Sequence, residues 1–261
     1  MRVETFLFLG AAVAEEPLFG GLWFWMRWLC LGLMALLHGL IRIVGSPGLA
    51  IVLLAGCVRL IMLPFTLLAE RWQRDVNAQE SRLQPRLAAI KASFRGEEQT
   101  RRILAAHREL GIHPLYRFKS AFGFLIQIPV LLGAYYMLKE DPALAGARFL
   151  WISDLTQPDR LMSLPFQVPY FGGYLNLLPF LMTAVTVIAS LRFDDGSLSP
   201  DLLRRQRRAL YWMAAVFFVL FYRFPAGMVL FWTMNNVFYA VMSHLRKHRR
   251  GGPGDCAAIA P

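Results

Sequence analysis

The residue types that carry out chemistry are scattered in this sequence. It contains none of the spacings typical of a nucleotide-binding glycine loop, a His-Glu-x-x-His zinc site or a Gly-x-Ser-x-Gly nucleophile. The five His and three Cys have no metal-ligand spacing, and an odd number of cysteines in separate segments does not indicate disulfides. The sequence therefore predicts a protein that is not an enzyme and has no cofactor and no metal.

One charged residue stands out by its position. Arg59 lies in the middle of an apolar run from residue 49 to residue 69. A charge at the centre of a membrane span costs about 2.5–3.5 kcal/mol, and such residues usually face a protein interior or a watery cavity. The apolar runs contain no acidic residue, so neutral polar groups are the partners that remain within them. Either such a group satisfies Arg59, or the cation lies in a hydrated cavity and binds something acidic.

Neutral polar side chains within the apolar runs are candidates for the walls of that cavity. An amide or hydroxyl gains little by facing lipid. We therefore expect four residues to lie beside Arg59: Gln127, Thr186, Thr233 and Asn236. Asn235 is 100° from Asn236 around a helix, and of the two we favour Asn236.

The elements that must position these residues follow from the composition. Of 261 residues, 56% are hydrophobic and only 17% are charged, which excludes an ordinary soluble enzyme. Runs long enough to cross a bilayer, about 20 residues each, predict spans at 46–69, 119–139 and 170–192. The run 209–245 is too long for one crossing and predicts two spans, with a turn at residues 223–227.

Two further segments have helical patterns. Residues 18–45 are apolar, but Arg27, His38 and Arg42 fall on one narrow stripe, which favours an amphipathic helix in the membrane interface over a spanning one. Residues 70–118 show apolar residues at helical spacing on both sides of Gly96, which predicts a two-helix hairpin with its tip there. A solvated linker is the alternative for this second segment.

The basic residues predict the topology. The net charge is +11, and 20 of the 28 Lys and Arg lie in 69–119, 192–208 and the tail 246–261. The positive-inside rule places these segments, with the loop 193–208, in the cytoplasm, and the N-terminal segment 1–17 and the loop 140–169 outside. No motif for reading nucleic-acid bases is present. The predicted fold class is an all-α integral membrane protein with five transmembrane helices, an N-terminal interfacial amphipathic helix and a cytoplasmic two-helix hairpin.

Six short motifs, in order and at characteristic spacing over residues 18–248, resemble the YidC-type membrane protein insertases. They are VRLIMLP at 58–64, LQP at 83–85, LIQIPV at 125–130, YYML at 135–138, WISDL at 151–155 and FPAGMVL at 224–230. About 17 residues precede the predicted interfacial helix, where many Gram-negative members have a large periplasmic domain. The resemblance thus indicates a reduced paralogue or a shortened chain.

The resemblance implies an insertase and chaperone of the bacterial inner membrane that needs no energy source. Arg59 would dock polar or acidic segments of nascent membrane proteins in a hydrophilic groove, and apolar segments would pass into the lipid. On the hairpin, Leu87 and Ile90 would take part in substrate capture. The implied partners are nascent membrane proteins and membrane lipids, with a Sec-type translocon and the ribosome as weaker candidates. Arg223 departs from the family pattern, which has an apolar or aromatic residue there, and the tail is short for ribosome docking.

Two alternatives belong to other classes of function. A small anion transporter or channel would also place an arginine in the membrane, but it is expected to show related halves, and the sequence shows no repeat. A membrane assembly scaffold would need no water-accessible groove.

The five-span topology predicts the result of two reporter fusions. Fusions after His113 and after His248 should both report the cytoplasm, because most of the basic residues then lie inside. An external signal from either fusion would contradict the five-span arrangement.

Overall fold

A computed structural model describes residues 22–109, 116–191 and 200–250. The helices in these ranges are α1 (Phe24–Val44), α2 (Pro47–Ile61), α3 (Leu63–Ser93), α4 (Gly96–Glu109), α5 (Tyr116–Glu140), α6 (Leu177–Leu191), α7 (Pro200–Phe221) and α8 (Ala226–Arg250). A 3₁₀ turn at Pro142–Leu144 and two antiparallel strands, β1 (Met162–Val168) and β2 (Gly172–Leu175), lie between α5 and α6. The predicted segment 1–17, residues 193–199 of the predicted loop and residues 251–261 of the tail lie outside the described residues.

Helix α2 lies at the centre of the bundle. It packs against α1 and α8, while α6 packs against α7 and α8, and α5 against α1 and α3. The core between them is formed by fully buried apolar side chains such as Leu37, Ile51, Leu54, Met137 and Phe231. Many large apolar side chains remain exposed on the outside, among them Trp28, Ile188 and Trp212. A surface of this kind is suited to lipid.

The predicted first span, 46–69, is not one straight helix. It bends by 56° at Met62, where α2 ends and α3 begins. Pro64 in the first turn of α3 explains the break, because its ring has no N–H and clashes with the carbonyl four residues earlier. Helix α3 then continues without interruption to Ser93, so the predicted boundary at residue 69 is not a helix end. The described hairpin consists of the C-terminal part of α3 and of α4. Gly96, where α4 begins, has the left-handed conformation.

Within the predicted third span, 170–192, the helix begins only after a short strand. Residues 172–175 form strand β2, which pairs with β1, and helix α6 starts only at Leu177. Tyr170 and Gly172 have positive φ angles in the turn between the strands. The Tyr170 hydroxyl donates to the Val219 carbonyl and the Tyr222 hydroxyl to the Tyr174 carbonyl, so this hairpin is fastened to the end of α7. The segment 141–176, between α5 and α6, thus contains strands that the all-α prediction did not include.

Helices α7 and α8 are joined by a tight turn. Residues 222–225 connect them, within and next to the turn predicted at 223–227. Helix α7 already begins at Pro200, so part of the predicted loop 193–208 is helical.

The segment 141–176 caps two helices. The carboxylate of Asp159, which is 3% exposed, accepts hydrogen bonds from the amides of Leu177 and Leu178 at 2.7 and 2.8 Å and satisfies the first turn of α6. The amides of Ala226 and Gly227 donate to the carbonyls of Gln157 and Leu155 at 2.7 and 2.8 Å at the start of α8. These bonds hold the segment 141–176 across the N-terminal ends of α6 and α8.

A second buried carboxylate attaches α1 to the bundle. His38 Nε2 lies 3.0 and 2.9 Å from the two carboxylate oxygens of Asp141, whose side chain is fully buried at the end of α5. His38 was one of the three polar residues that suggested an interfacial helix, and its side chain contacts the protein at Asp141. By length and composition, α1 is the described helix long enough to cross a membrane by itself, and α2 with α3 qualifies if the bent pair is one span. The number of spans remains a prediction.

Partial burial raises the pKa of Asp154, but hydrogen bonds from the hydroxyl and amide of Thr156 and from the Gly146 amide outweigh it and hold the pKa below its ordinary value. This carboxylate therefore stays ionised at neutral pH and keeps the loop in its turn.

Two helical glycines give a test of how the segment 141–176 packs. A Cβ at Gly48 would overlap the Phe149 ring, whereas a Cβ at Gly39 would meet nothing within 4 Å. Gly48→Ala should therefore destabilise the protein by about 1–3 kcal/mol, and the control Gly39→Ala should stabilise it by about 0.5–1 kcal/mol. Thermal unfolding in detergent measures both. A Gly48→Ala variant as stable as the control would contradict the packing described.

Candidate functional site

Arg59 lies in the last turn of α2, immediately before the bend. Its side chain is 6% exposed, although it carries a charge. The guanidinium carbon lies 4.3 Å from the centroid of the Tyr239 ring on α8, in a cation–π contact. The Nε atom is buried and has no hydrogen-bond partner among the described residues. A cation in this state is desolvated without being neutralised, so a ligand with acceptor oxygens is favoured beside it.

The Arg59 cavity, about 450 Å³ in volume, lies between five helices. Its polar wall is contributed by α2, α3, α5 and α8, and its apolar wall mainly by α5, α7 and α8. The polar residues lining it are Arg59, Thr66, Glu70, Gln73, Gln127, Asn235, Asn236 and Tyr239. The apolar residues include Ile126, Leu131, Met213, Phe217 and Trp232. This mixture suits a segment of chain that has a polar and an apolar part.

The structure brings together some of the residues proposed from the sequence. Gln127 and Asn236 line the cavity with Arg59, and so does Asn235, which the sequence favoured less. Thr186 and Thr233 are not among its lining residues. Their hydroxyls donate to the carbonyls four residues earlier in the same helix, at 2.9 and 2.7 Å. A helical threonine satisfies itself in this way, so its polarity does not require a cavity.

Sequence reasoning missed the acidic and aromatic residues of the site. Glu70 lies just beyond the apolar run, so a search for partners of Arg59 within the runs does not reach it. Thr66, Glu70 and Gln73 recur at the spacing of one helix face, and that pattern was the available signal. Tyr239 likewise lies three residues after Asn236 on α8.

Glu70 forms an ion pair at the side of the cavity nearest the hairpin. Its Oε1 lies 3.0 Å from Nη2 of Arg246, near the end of α8. Both side chains are about a quarter exposed, at 27% and 26%.

The two predicted hairpin residues lie apart from this cavity. Leu87 and Ile90 are half-buried on α3 and do not line it. The two hairpin helices bury Leu83 and Ala106, and Arg86 pairs with Glu109 across them at 3.3 Å. Among the described residues there is no group of three His, Cys, Asp or Glu side chains that would hold a metal ion.

The sequence is similar to those of a family of known membrane proteins. Residues 39–250 match the family model described as the 60Kd inner membrane protein. The chain is 30% identical over 218 residues to the membrane protein insertase YidC of Syntrophobacter fumaroxidans, covering 82% of this chain and 36% of the relative. It is 32% identical over 205 residues to the YidC of Polynucleobacter asymbioticus, covering 77% and 32%. The chain thus spans about a third of the length of these curated relatives.

A solved structure shares the fold. The crystal structure of an active YidC insertase with its first transmembrane domain resolved matches with a TM-score of 0.55 at 23% identity, covering 92% of this chain and 51% of that one. At 23% identity, this match shows that the two chains share a fold and shows nothing about a shared function.

The placement of the polar residues predicts which positions water reaches. In a background without Cys30, Cys57 and Cys256, a cysteine at position 127 or 236 should react with a water-soluble maleimide in the folded protein, because both positions line the cavity. A cysteine at position 233, which is 3% exposed, is the matched control on the same helix and should react only after unfolding. Equal reaction at 233 and 236, or protection of 127, would contradict a water-filled cavity.

Proposed function

The chain belongs to the 60Kd inner membrane protein family, the family of the YidC membrane protein insertases, and on that premise we propose that it inserts and helps to fold nascent proteins in the bacterial inner membrane. The observation that carries this proposal is the buried, unneutralised Arg59 in a mixed polar and apolar cavity. No covalent step is needed. The protein acts by lowering the desolvation barrier that a polar segment meets in lipid.

In the proposed mechanism the cavity is a groove open to the cytoplasm. A polar or acidic segment of the nascent protein enters it and pairs with Arg59, while Gln127 and Asn236 supply hydrogen bonds that replace water. Thr186 and Thr233, the other two residues proposed from the sequence, contribute less because their hydroxyls are satisfied within their helices. Tyr239 holds the guanidinium by its ring and leaves the charge free for a carboxylate.

The apolar part of the substrate would then leave along α6 and α8 into the lipid. Ile126, Phe217 and Trp232 line the cavity beside its polar wall, so an apolar segment finds contacts next to the docked polar one. The hydrogen-bonded outer loop supports the idea that the groove is closed on the outside. The hairpin, through Leu87 and Ile90, would capture the substrate before it enters.

Substitutions of Arg59 test this function in proteoliposomes made from the full chain. Two single-span substrates that differ only in an acidic or a neutral translocated segment are compared. Arg59→Lys should keep most activity, since a point charge over Tyr239 suffices. Arg59→Ala should reduce insertion of the acidic substrate by about tenfold and that of the neutral one much less. Arg59→Glu should be worse for the acidic substrate and be rescued by a basic segment.

Arg223→Ala is the matched control, because this arginine lies at the outer turn over the Tyr170 ring and not in the cavity. It should leave the acidic-to-neutral ratio unchanged. Equal loss of both substrates with Arg59→Ala, together with poor accumulation of the variant, would show that Arg59 is structural. Anion flux without insertion would instead indicate a transporter.

A further inference from the structure

The ion pair between Glu70 and Arg246 lies in the same electrostatic group as Arg59. Arg59 contacts the Tyr239 ring, and Glu70 pairs with Arg246. Glu70 lines the cavity together with Arg59 and Tyr239. The group contains two guanidinium cations and one carboxylate, so it has an excess of one positive charge.

Arg246 is held in place by the end of its own helix. Its Nε donates to the Met242 carbonyl at 3.2 Å and its Nη2 to Glu70 at 3.0 Å. Its Nη1 is buried and has no hydrogen-bond partner among the described residues. The guanidinium is therefore directed at Glu70 while part of its donor capacity stays unused.

Glu70 works against an acidic ligand of Arg59. A carboxylate in the cavity wall attracts Arg59 and repels an incoming carboxylate, and in a partly buried site this effect is less screened than at the surface. Arg246 offsets that charge. Without Arg246, the site would contain one cation and one anion and would have no net attraction for an acidic segment.

We propose that the Glu70–Arg246 pair determines the substrate specificity of the groove by setting its net charge, with Arg246 neutralising Glu70 so that Arg59 remains the excess cation. This inference rests on the proposed docking role of Arg59. In this proposal Glu70 repels strongly acidic segments. Arg246 supplies the positive charge that allows acidic segments to bind.

A purely structural clamp between α3 and α8 is the competing explanation. Exposed ion pairs contribute little to stability, but the side chains of this pair are only about a quarter exposed, and the pair joins helices far apart in the chain. The two explanations differ for a variant that lacks the ion pair and keeps the net charge. Such a variant retains specificity if charge is what matters, and loses activity for every substrate if the clamp is what matters.

The experiment compares the full chain with Glu70→Gln, Arg246→Met and the double variant in proteoliposomes, with the paired acidic and neutral substrates. The ratio of acidic to neutral insertion should rise by about threefold to tenfold with Glu70→Gln and fall by a similar factor with Arg246→Met. The double variant, which has the wild-type net charge, should return to the wild-type ratio. Raising the salt from roughly 0.05 to 0.5 M should reduce these differences.

Arg246→Lys is the matched control, because it keeps the charge and loses the planar fork, and its ratio should stay near that of the wild type. If Arg246→Met accumulates poorly, the nearly isosteric Glu70→Gln decides, and an unchanged ratio there overturns the proposal. A double variant that loses insertion of both substrates equally and melts at a lower temperature also overturns it, in favour of the clamp.

Arg59→Ala in the same assay separates a failure of this inference from a failure of the proposed function. If Arg59→Ala leaves the acidic-to-neutral ratio unchanged, the proposed function is overturned. If Arg59→Ala lowers the ratio but the Glu70 and Arg246 variants leave it unchanged, only this inference is overturned.

Discussion

A desolvated guanidinium among lipid-facing helices is the constraint on which the rest of the structure depends. A charge in this position costs about 2.5–3.5 kcal/mol unless the protein surrounds it with polar groups or water. The fold does so without neutralising it directly. The bend at Met62 directs α3 away from α2, α8 supplies the Tyr239 ring, and α5 and α8 contribute amides to a cavity of about 450 Å³. The helices are thus arranged around a charge that stays available.

The two ends of the bundle are built differently. At the end where α6 and α8 begin, buried Asp159 and the carbonyls of Leu155 and Gln157 accept hydrogen bonds from the first turns of these two helices. Toward the hairpin, α3 and α8 are joined by an ion pair between two long side chains, Glu70 and Arg246, each about a quarter exposed. One end is thus held by hydrogen bonds to backbone amides, whereas the other end includes a pair of charged side chains, and the proposed groove would open at this second end.

Polarity within apolar runs was the useful signal for the site, since it singled out Arg59, Gln127 and Asn236, which the cavity brings together. Thr186 and Thr233 do not line this cavity, because a helical hydroxyl can be satisfied by its own backbone. The same signal missed Glu70, which lies beyond the hydrophobic run. For the fold, apolar length located the helices approximately. The bend at Pro64 and the β1–β2 hairpin were missed because they depend on local backbone geometry and on contacts with α7.

The most direct test of the central claim is to ask what the docked segment touches. A photo-activatable residue placed at Gln127, on the cavity wall, is compared with one at Trp212, which is 74% exposed on α7. With a stalled nascent chain, the acidic segment should cross-link from position 127, not from position 212, and Arg59→Ala should abolish that cross-link. Equal cross-linking from both positions, unaffected by Arg59→Ala, would contradict docking at a buried arginine.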